Sequence, residues 1–198
     1  MTKQPEIYTV GHSNHVAEIF LGLLRENAID TLVDTRSRPY SKFAPHFNPD
    51  EMKFAVTQAG IRYVFLGKEL GGRPDGAEFY DAEGHVLYNK VAESEGFLGA
   101  VAKLERAVVS RRVALCCAEE NPSDCHRRLL VGRVLSERGM NVLHIRGDGR
   151  IEPESELQAI EEAARNGQQA LFEEEEVVVW RSTRSVSPKK PQSSSLDY

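Results

Sequence analysis

Two thiols, three carboxylates, an imidazole and a guanidinium crowd into Cys117-Ala-Glu-Glu-Asn-Pro-Ser-Asp-Cys-His-Arg127. Thiolates are nucleophiles or metal ligands, a glutamate takes or gives protons, and arginine is a forked donor for phosphate or carboxylate. Cys125, read as part of a first helical turn, faces unpaired backbone N–H groups and the positive end of the helix dipole. That placement, with His126 and Arg127 beside it, favours a thiolate. Glu119 is the candidate acid/base, or the group that orients a ribose hydroxyl. Cys117 ends an apolar run, where packing is as natural a role as reactivity. Arg127 and Glu119 could instead form an ion pair that ties strand end to helix start. The two cysteines and the histidine invite zinc, but C-x7-C-H is no standard ligand spacing. Neighbouring helical residues also point about 100° apart, so no metal site is assigned.

The flanking elements explain how these groups would meet. Val113–Cys117 is long enough for a buried strand and too short for a helix. Asn121-Pro122 is a turn signal, and Ser123 or Asp124 can cap a helix carrying Leu129, Leu130, Val131, Val134 and Leu135. Strand carboxyl ends and helix amino ends are where α/β sheets bind ligands.

The same arrangement recurs along the chain. Ile7–Val10 reads as a strand followed by His12, Ser13 and Asn14, with Ser13 or Asn14 capping a helix whose apolar stripe is Val16, Ile19, Phe20, Leu23 and Leu24. Ile29–Val33 is followed by Asp34, Arg36, Ser37 and Arg38. Asn48 opens a helix bearing Met52 and Val56, Ile61–Leu66 is a third strand, and Lys68, Glu69 and Arg73 follow it. A helical face of Phe97, Val101, Leu104 and Val108 leads into the central strand, and Asn141–Ile145 forms a fifth. Strands alternating with helices imply a single α/β domain with a mainly parallel, roughly five-stranded sheet, helices covering both faces. In such a sheet the four polar sets share one edge, which points to one ligand cleft.

These segments resemble the domain of unknown function 488 family. The resemblance rests on Tyr-Thr-Val-Gly-His-Ser-Asn, Leu-Val-Asp-Thr-Arg-Ser-Arg-Pro, Tyr-Val-Phe-Leu-Gly-Lys-Glu-Leu-Gly-Gly-Arg and the Cys117–Arg127 stretch, in the family's order over roughly residues 7–147. It carries the family's cysteine–glutamate pair onto Cys117 and Glu119, its Cys-His-Arg onto Cys125, His126 and Arg127, its Gly-His-Ser onto Gly11, His12 and Ser13, and its Asp-x-Arg-Ser onto Asp34, Arg36 and Ser37. Cys116 departs from the pattern, standing where members more often carry Leu or Met. The resemblance implies a fold and a site, and it names no reaction.

Composition sets the outer bounds. Of 198 residues 40% are hydrophobic, enough for one globular domain with a real core. No apolar run approaches the roughly eighteen residues of a membrane span, and the first residues lack the apolar stretch of a signal peptide. Three cysteines, two adjacent, are no disulfide framework, so a cytoplasmic protein with reduced thiols is expected. The net charge of −5 hides an even balance in residues 1–150, a net of −8 in residues 151–176 and +3 in the rest. The expected organisation is a core over 1–150, an acidic helix and short apolar strand over 151–181, and a disordered Ser/Pro/Lys tail over 182–198.

Three functions fit. The favoured one is an enzyme, hydrolase or transferase, acting on a nucleotide, nucleoside or nucleic-acid substrate. Its catalytic candidates are Glu119, Cys125, His126 and Cys117; its substrate-binding candidates are His12, Ser13, Asp34, Arg36, Ser37, Glu69, Arg73 and Arg127. No dinucleotide fingerprint or P-loop is present, and no cofactor is assigned. The alternatives are a thiol enzyme of sulfur-transfer or redox type using Cys125 or Cys117, and a non-catalytic module binding nucleotide or nucleic acid. The expected partner is a phosphorylated or nucleotide-like ligand; the sequence assigns no oligomeric state.

Overall fold

A computed structural model describes residues 4–169 and 179–186. One sheet holds β1 (Glu6–Gly11), β2 (Thr31–Asp34), β3 (Arg62–Phe65), β4 (Val113–Cys117), β5 (Asn141–Ile145) and β6 (Ile151–Pro153) in the order β3-β2-β4-β1-β5-β6. The first five are parallel, and β6 closes the edge antiparallel to β5. The helices are α1 (Ala17–Glu26), α2 (Pro49–Gln58), α3 (Tyr88–Ala92), α4 (Glu95–Ala107), α5 (Arg133–Glu137) and α6 (Glu154–Gln169). A π-helical stretch, Arg127–Gly132, leads into α5. The α/β architecture read from the sequence is the one found. The short β6 was not foreseen, because three residues carry no periodicity to read.

The central strands are buried on both faces, so alternate side chains enter different cores. Val113 and Leu115 of β4 pack under α4 and the Leu130–Leu135 segment, whereas Ala114 and Cys116 pack under α1 and α2. Period 2 thus separates the adjacent cysteines: Cys116 belongs to the α1/α2 core, and Cys117 emerges from the strand end on the other side. On the α4 side Phe97, Val101 and Leu104 fill the layer, as their helical spacing requires.

Several local expectations are corrected. Neither Ser13 nor Asn14 caps α1, which starts after Val16 with no side-chain cap. The backbone after β1 continues along β4 instead, His12 N–H bonding Cys117 O and Ser13 N–H bonding Ala118 O, which turns Ser13 to φ 49°. The helix therefore begins later than its stripe suggests, and Val16 and Ile19 are exposed. Asn48 precedes α2, but its side chain accepts from Ser41 N–H rather than capping the helix. Neither Ser123 nor Asp124 caps a helix carrying Cys125. Pro122–Asp124 forms a 3-10 turn held by Asn121, and Cys125 is extended, at φ −121° and ψ 137°.

The C-terminal end brings a further correction. Residues 182–186, placed by the sequence in a disordered tail, lie against the loop before α3. Ser182 N–H bonds Val86 O, Val86 N–H bonds Ser182 Oγ, and Val186 N–H bonds Gly84 O. Trp180 anchors this strap, its indole N–H on Leu129 O and its ring under the Arg133 guanidinium. Residues 187–198 lie outside the described ones. No helix among the described residues is long and apolar enough to cross a membrane.

Candidate functional site

The carboxyl ends of β1, β2, β3 and β4 lie along one sheet edge, and a cavity of about 460 Å³ opens there. β4 ends at Cys117 and sends Ala118 and Glu119 over its floor. The π-helical stretch starts just after His126, and the loop after β2 brings Ser37, Arg38 and Tyr40. Gly72 and Arg73 follow β3, and the C-terminal strap supplies Ser182, Thr183 and Arg184.

At the floor Glu119 Oε2 lies 2.8 Å from Cys117 Sγ and 3.2 Å from Cys125 Sγ. His126 Nδ1 lies 3.8 Å from each sulfur, and its Nε2 donates to Thr35 O at 3.1 Å. Cys125 Sγ also receives the Arg127 backbone N–H at 3.4 Å. Gly72 must be glycine to let His126 sit there: a Cβ at that position would stand 2.8 Å from the ring.

The electrostatics divide the two thiols. Burial opposes a Cys125 thiolate, but the hydrogen bond from Cys117 and the His126 imidazole outweigh it and hold Cys125 well below the usual thiol range. Cys117 is pushed well above that range, by its bond to Cys125 and by burial. Burial works against a charged His126 as well, yet the neighbouring Cys125 raises its pKa. Cys116 is also pushed up, chiefly by burial, and stays a packing thiol.

The arginines sort into two kinds. Arg36 spends every donor internally. Asp34 holds it through bonds at 2.9 and 2.7 Å, and the remaining hydrogens go to His12 Nε2, Phe47 O and Met52 Sδ. Arg127 is fully buried, bonding Thr9 Oγ1 and the carbonyls of Glu119 and Glu120. It therefore clamps the loop by its backbone and forms no ion pair with the Glu119 carboxylate. By contrast, Arg38, Arg73 and Arg184 are exposed on the cavity wall with no ion-pair partner within 4 Å among the described residues.

Of the sequence candidates, Cys117, Glu119, Cys125 and His126 meet at the floor, with Arg36, Ser37 and Arg73 on the wall. Ser37 Oγ accepts from Arg73 N–H, which fixes the approach of the β3 loop. Asp34 is buried behind the wall as the partner of Arg36. His12 lies behind Arg36, stacked on Phe47, and burial and the Arg36 charge lower its pKa to about 4. His12 is thus a neutral acceptor for Arg36 that does not line the cavity. Neither Ser13 nor Glu69 lines it either. The sequence reading missed Tyr88 and the strap residues Thr183 and Arg184. Their approach depends on the isolated bridge between Leu87 and Arg181, which no local pattern announces.

On one helix Cys125 and His126 would diverge too far to share a metal. Extended backbone at Cys125 removes that objection, since both side chains can then point to one centre.

No curated protein matches this chain. A crystal structure of a proposed phosphatase of the DUF442 type from Shewanella putrefaciens CN-32 is similar at 15% identity, over 67% of this chain and 66% of that one, with a TM-score of 0.37. A likeness that weak carries no argument about the site. The model of the Domain of unknown function DUF488 matches residues 16–134, more than half of the sequence, and on that match the chain belongs to the DUF488 family.

Proposed function

We propose that the protein is an enzyme, hydrolase or transferase, acting on a phosphorylated, nucleotide-like substrate seated in this cavity. The observation that carries the reading is three guanidiniums on the wall, without an ion-pair partner among the described residues, facing a carboxylate exposed at the floor. Arg38, Arg73 and Arg184 would hold the phosphate by forked, charge-assisted bonds. Glu119, between the anion and the two thiols, would take the proton from an attacking water or hydroxyl and return it to the leaving group. Arg36 and Arg127, saturated by protein acceptors, keep the loops in place rather than touch the ligand.

A second reading, thiol chemistry at Cys125, is supported by the depressed pKa of that thiol and by the second sulfur beside it.

The test uses the full chain against nucleoside mono- and diphosphates and short oligonucleotides, with thermal stabilisation and product formation as readouts. Arg73→Ala should weaken binding about tenfold to a hundredfold, as expected for one charged hydrogen-bond partner. Glu119→Gln should retain the stabilisation while losing turnover by about 10²–10⁴-fold, the usual weight of a general acid/base. Stabilisation without turnover in the unmodified protein would make it a binding module. Activity lost in Cys125→Ser but kept in Glu119→Gln would favour the thiol reading. No response to any phosphorylated probe would remove both the enzyme and its anion site.

A further inference from the structure

We propose that Cys117, Cys125, His126 and Glu119 form a tetrahedral zinc site, with the two sulfurs and the imidazole fixed and the carboxylate closing the position that faces the cavity. The inference stands on the arrangement of the four donors and does not require the phosphate reading.

One ligand atom from each residue lies within 4.8 Å of all the others. Zinc bonds of about 2.0–2.3 Å at tetrahedral angles place donors about 3.3–3.8 Å apart. The two sulfur–nitrogen distances are both 3.8 Å, and the sulfur–oxygen distances, 2.8 and 3.2 Å, are a little shorter. The sulfur–nitrogen contacts thus match the edges of a ligand tetrahedron, and zinc would spread the sulfur–oxygen contacts by up to about 0.7 Å.

The surroundings carry the features that orient ligands. His126 Nε2 donates its hydrogen to Thr35 O, which fixes the tautomer and leaves the Nδ1 lone pair aimed at the sulfurs. The Arg127 amide donates to Cys125 Sγ, a bond that stabilises sulfur carrying negative charge. The glycine at position 72 makes room for the ring. Soft sulfur with imidazole in tetrahedral array selects zinc over the oxygen-seeking magnesium and calcium. Binding would send to solvent the proton on Cys117 and any still on Cys125 or His126 Nδ1, and form two zinc–sulfur bonds. Cys117 and Cys125 are buried, whereas Glu119 is exposed, so water or a ligand entering the cavity can displace the carboxylate alone. Three fixed ligands and one exchangeable position are the arrangement of a reactive zinc rather than a closed structural one.

The full chain, stripped of metal by chelator under reducing conditions, is offered Zn²⁺ alone and then Co²⁺ alone. One equivalent of zinc per chain should bind, and cobalt should give an intense thiolate charge-transfer band with the visible spectrum of a tetrahedral site. Cys125→Ser should lose stoichiometric zinc and the charge-transfer band, while Cys116→Ser keeps both. Should Cys125→Ser fail to fold, Glu119→Gln, at an exposed position, must still shift the cobalt spectrum and weaken zinc binding without removing the thiolate band. Absence of stoichiometric zinc in the unmodified protein, or cobalt bound without a thiolate band, overturns the proposal. Zinc bound with no response to phosphorylated probes defeats only the phosphate reading. Phosphate bound with no zinc defeats only this one.

Discussion

Cys125 shows how one residue's backbone decides its chemistry. In a helical turn it would diverge from His126; extended, it shares a centre with Cys117, Glu119 and His126 and accepts the Arg127 amide. In the metal-free, reduced protein one thiol should therefore ionise below the ordinary cysteine value of about 8.5. Thiolate ultraviolet absorbance against pH should show a single early step that Cys125→Ser removes. Three thiols all titrating at or above the ordinary value would contradict this. The residue types at the site were legible from Cys117 to His126, because close spacing alone brings them together. The division of labour among arginines was not. Arg36 and Arg73 look alike in sequence, and only the Asp34 carboxylate, which takes Arg36 in two bonds, tells them apart. Removing that partner should be costly, since Arg36 would keep a buried charge without compensation. Asp34→Ala should lose about 3–5 kcal/mol in urea denaturation.

At the scale of elements, strands and long helices were readable because their apolar periodicity is local, as in Phe97, Val101 and Leu104 of α4 or Val113–Cys117 of β4. Caps and loop contacts were not, because polar side chains near Ser13 and Ser123 are engaged by distant backbone. The most consequential unread feature is a buried polar chain joining the two ends of the sheet's second half. Arg127 Nε donates to Thr9 Oγ1, Thr9 meets His144 Nδ1, His144 Nε2 meets Glu154 Oε2, and Glu154 also accepts from Arg128. Burial opposes ionisation of Glu154, but His144 and Arg128 outweigh it and hold the carboxyl below its usual range. Its contribution to stability is thus present above the unfolded value of about 4.3 and lost as pH falls through the lower folded value. His144 acts in the same sense. Burial lowers its pKa despite Glu154, so the folded protein favours neutral imidazole and loses stability on acidification below about 6.5. Denaturation midpoints measured from neutral to acid pH should fall over both windows, and Glu154→Gln should flatten the lower one. An unchanged acid limb in that variant would show that the carboxylate is not ionised in the fold.

For the whole molecule, the mainly parallel sheet with the loops after its strands on one edge was legible, and the expectation of a cleft there followed from it. The strap was not, since residues 182–186 are short and mostly polar and are held by the distant loop at 83–86 and by Val186 against the core. Truncation after residue 181 should cost about 1.5–4.5 kcal/mol for the three hydrogen bonds to Val86 and Gly84, at about 0.5–1.5 each, and should also weaken ligand binding by removing Arg184 from the wall. A truncated chain with unchanged melting would mean the strap does not dock in solution. The central claim is that loops from separate strands and this strap make one anion-binding cleft over the thiol–imidazole–carboxylate floor. Its most direct test is a backbone amide NMR titration of the isotopically labelled full chain with a nucleoside monophosphate. Shifts are expected only at the amides around Ser37 and Arg38, Gly72 and Arg73, Ala118 and Glu119, His126, and Thr183 and Arg184. Shifts gathered instead in the groove between Arg128, Arg133 and Trp180, or on the opposite edge of the sheet, would contradict it.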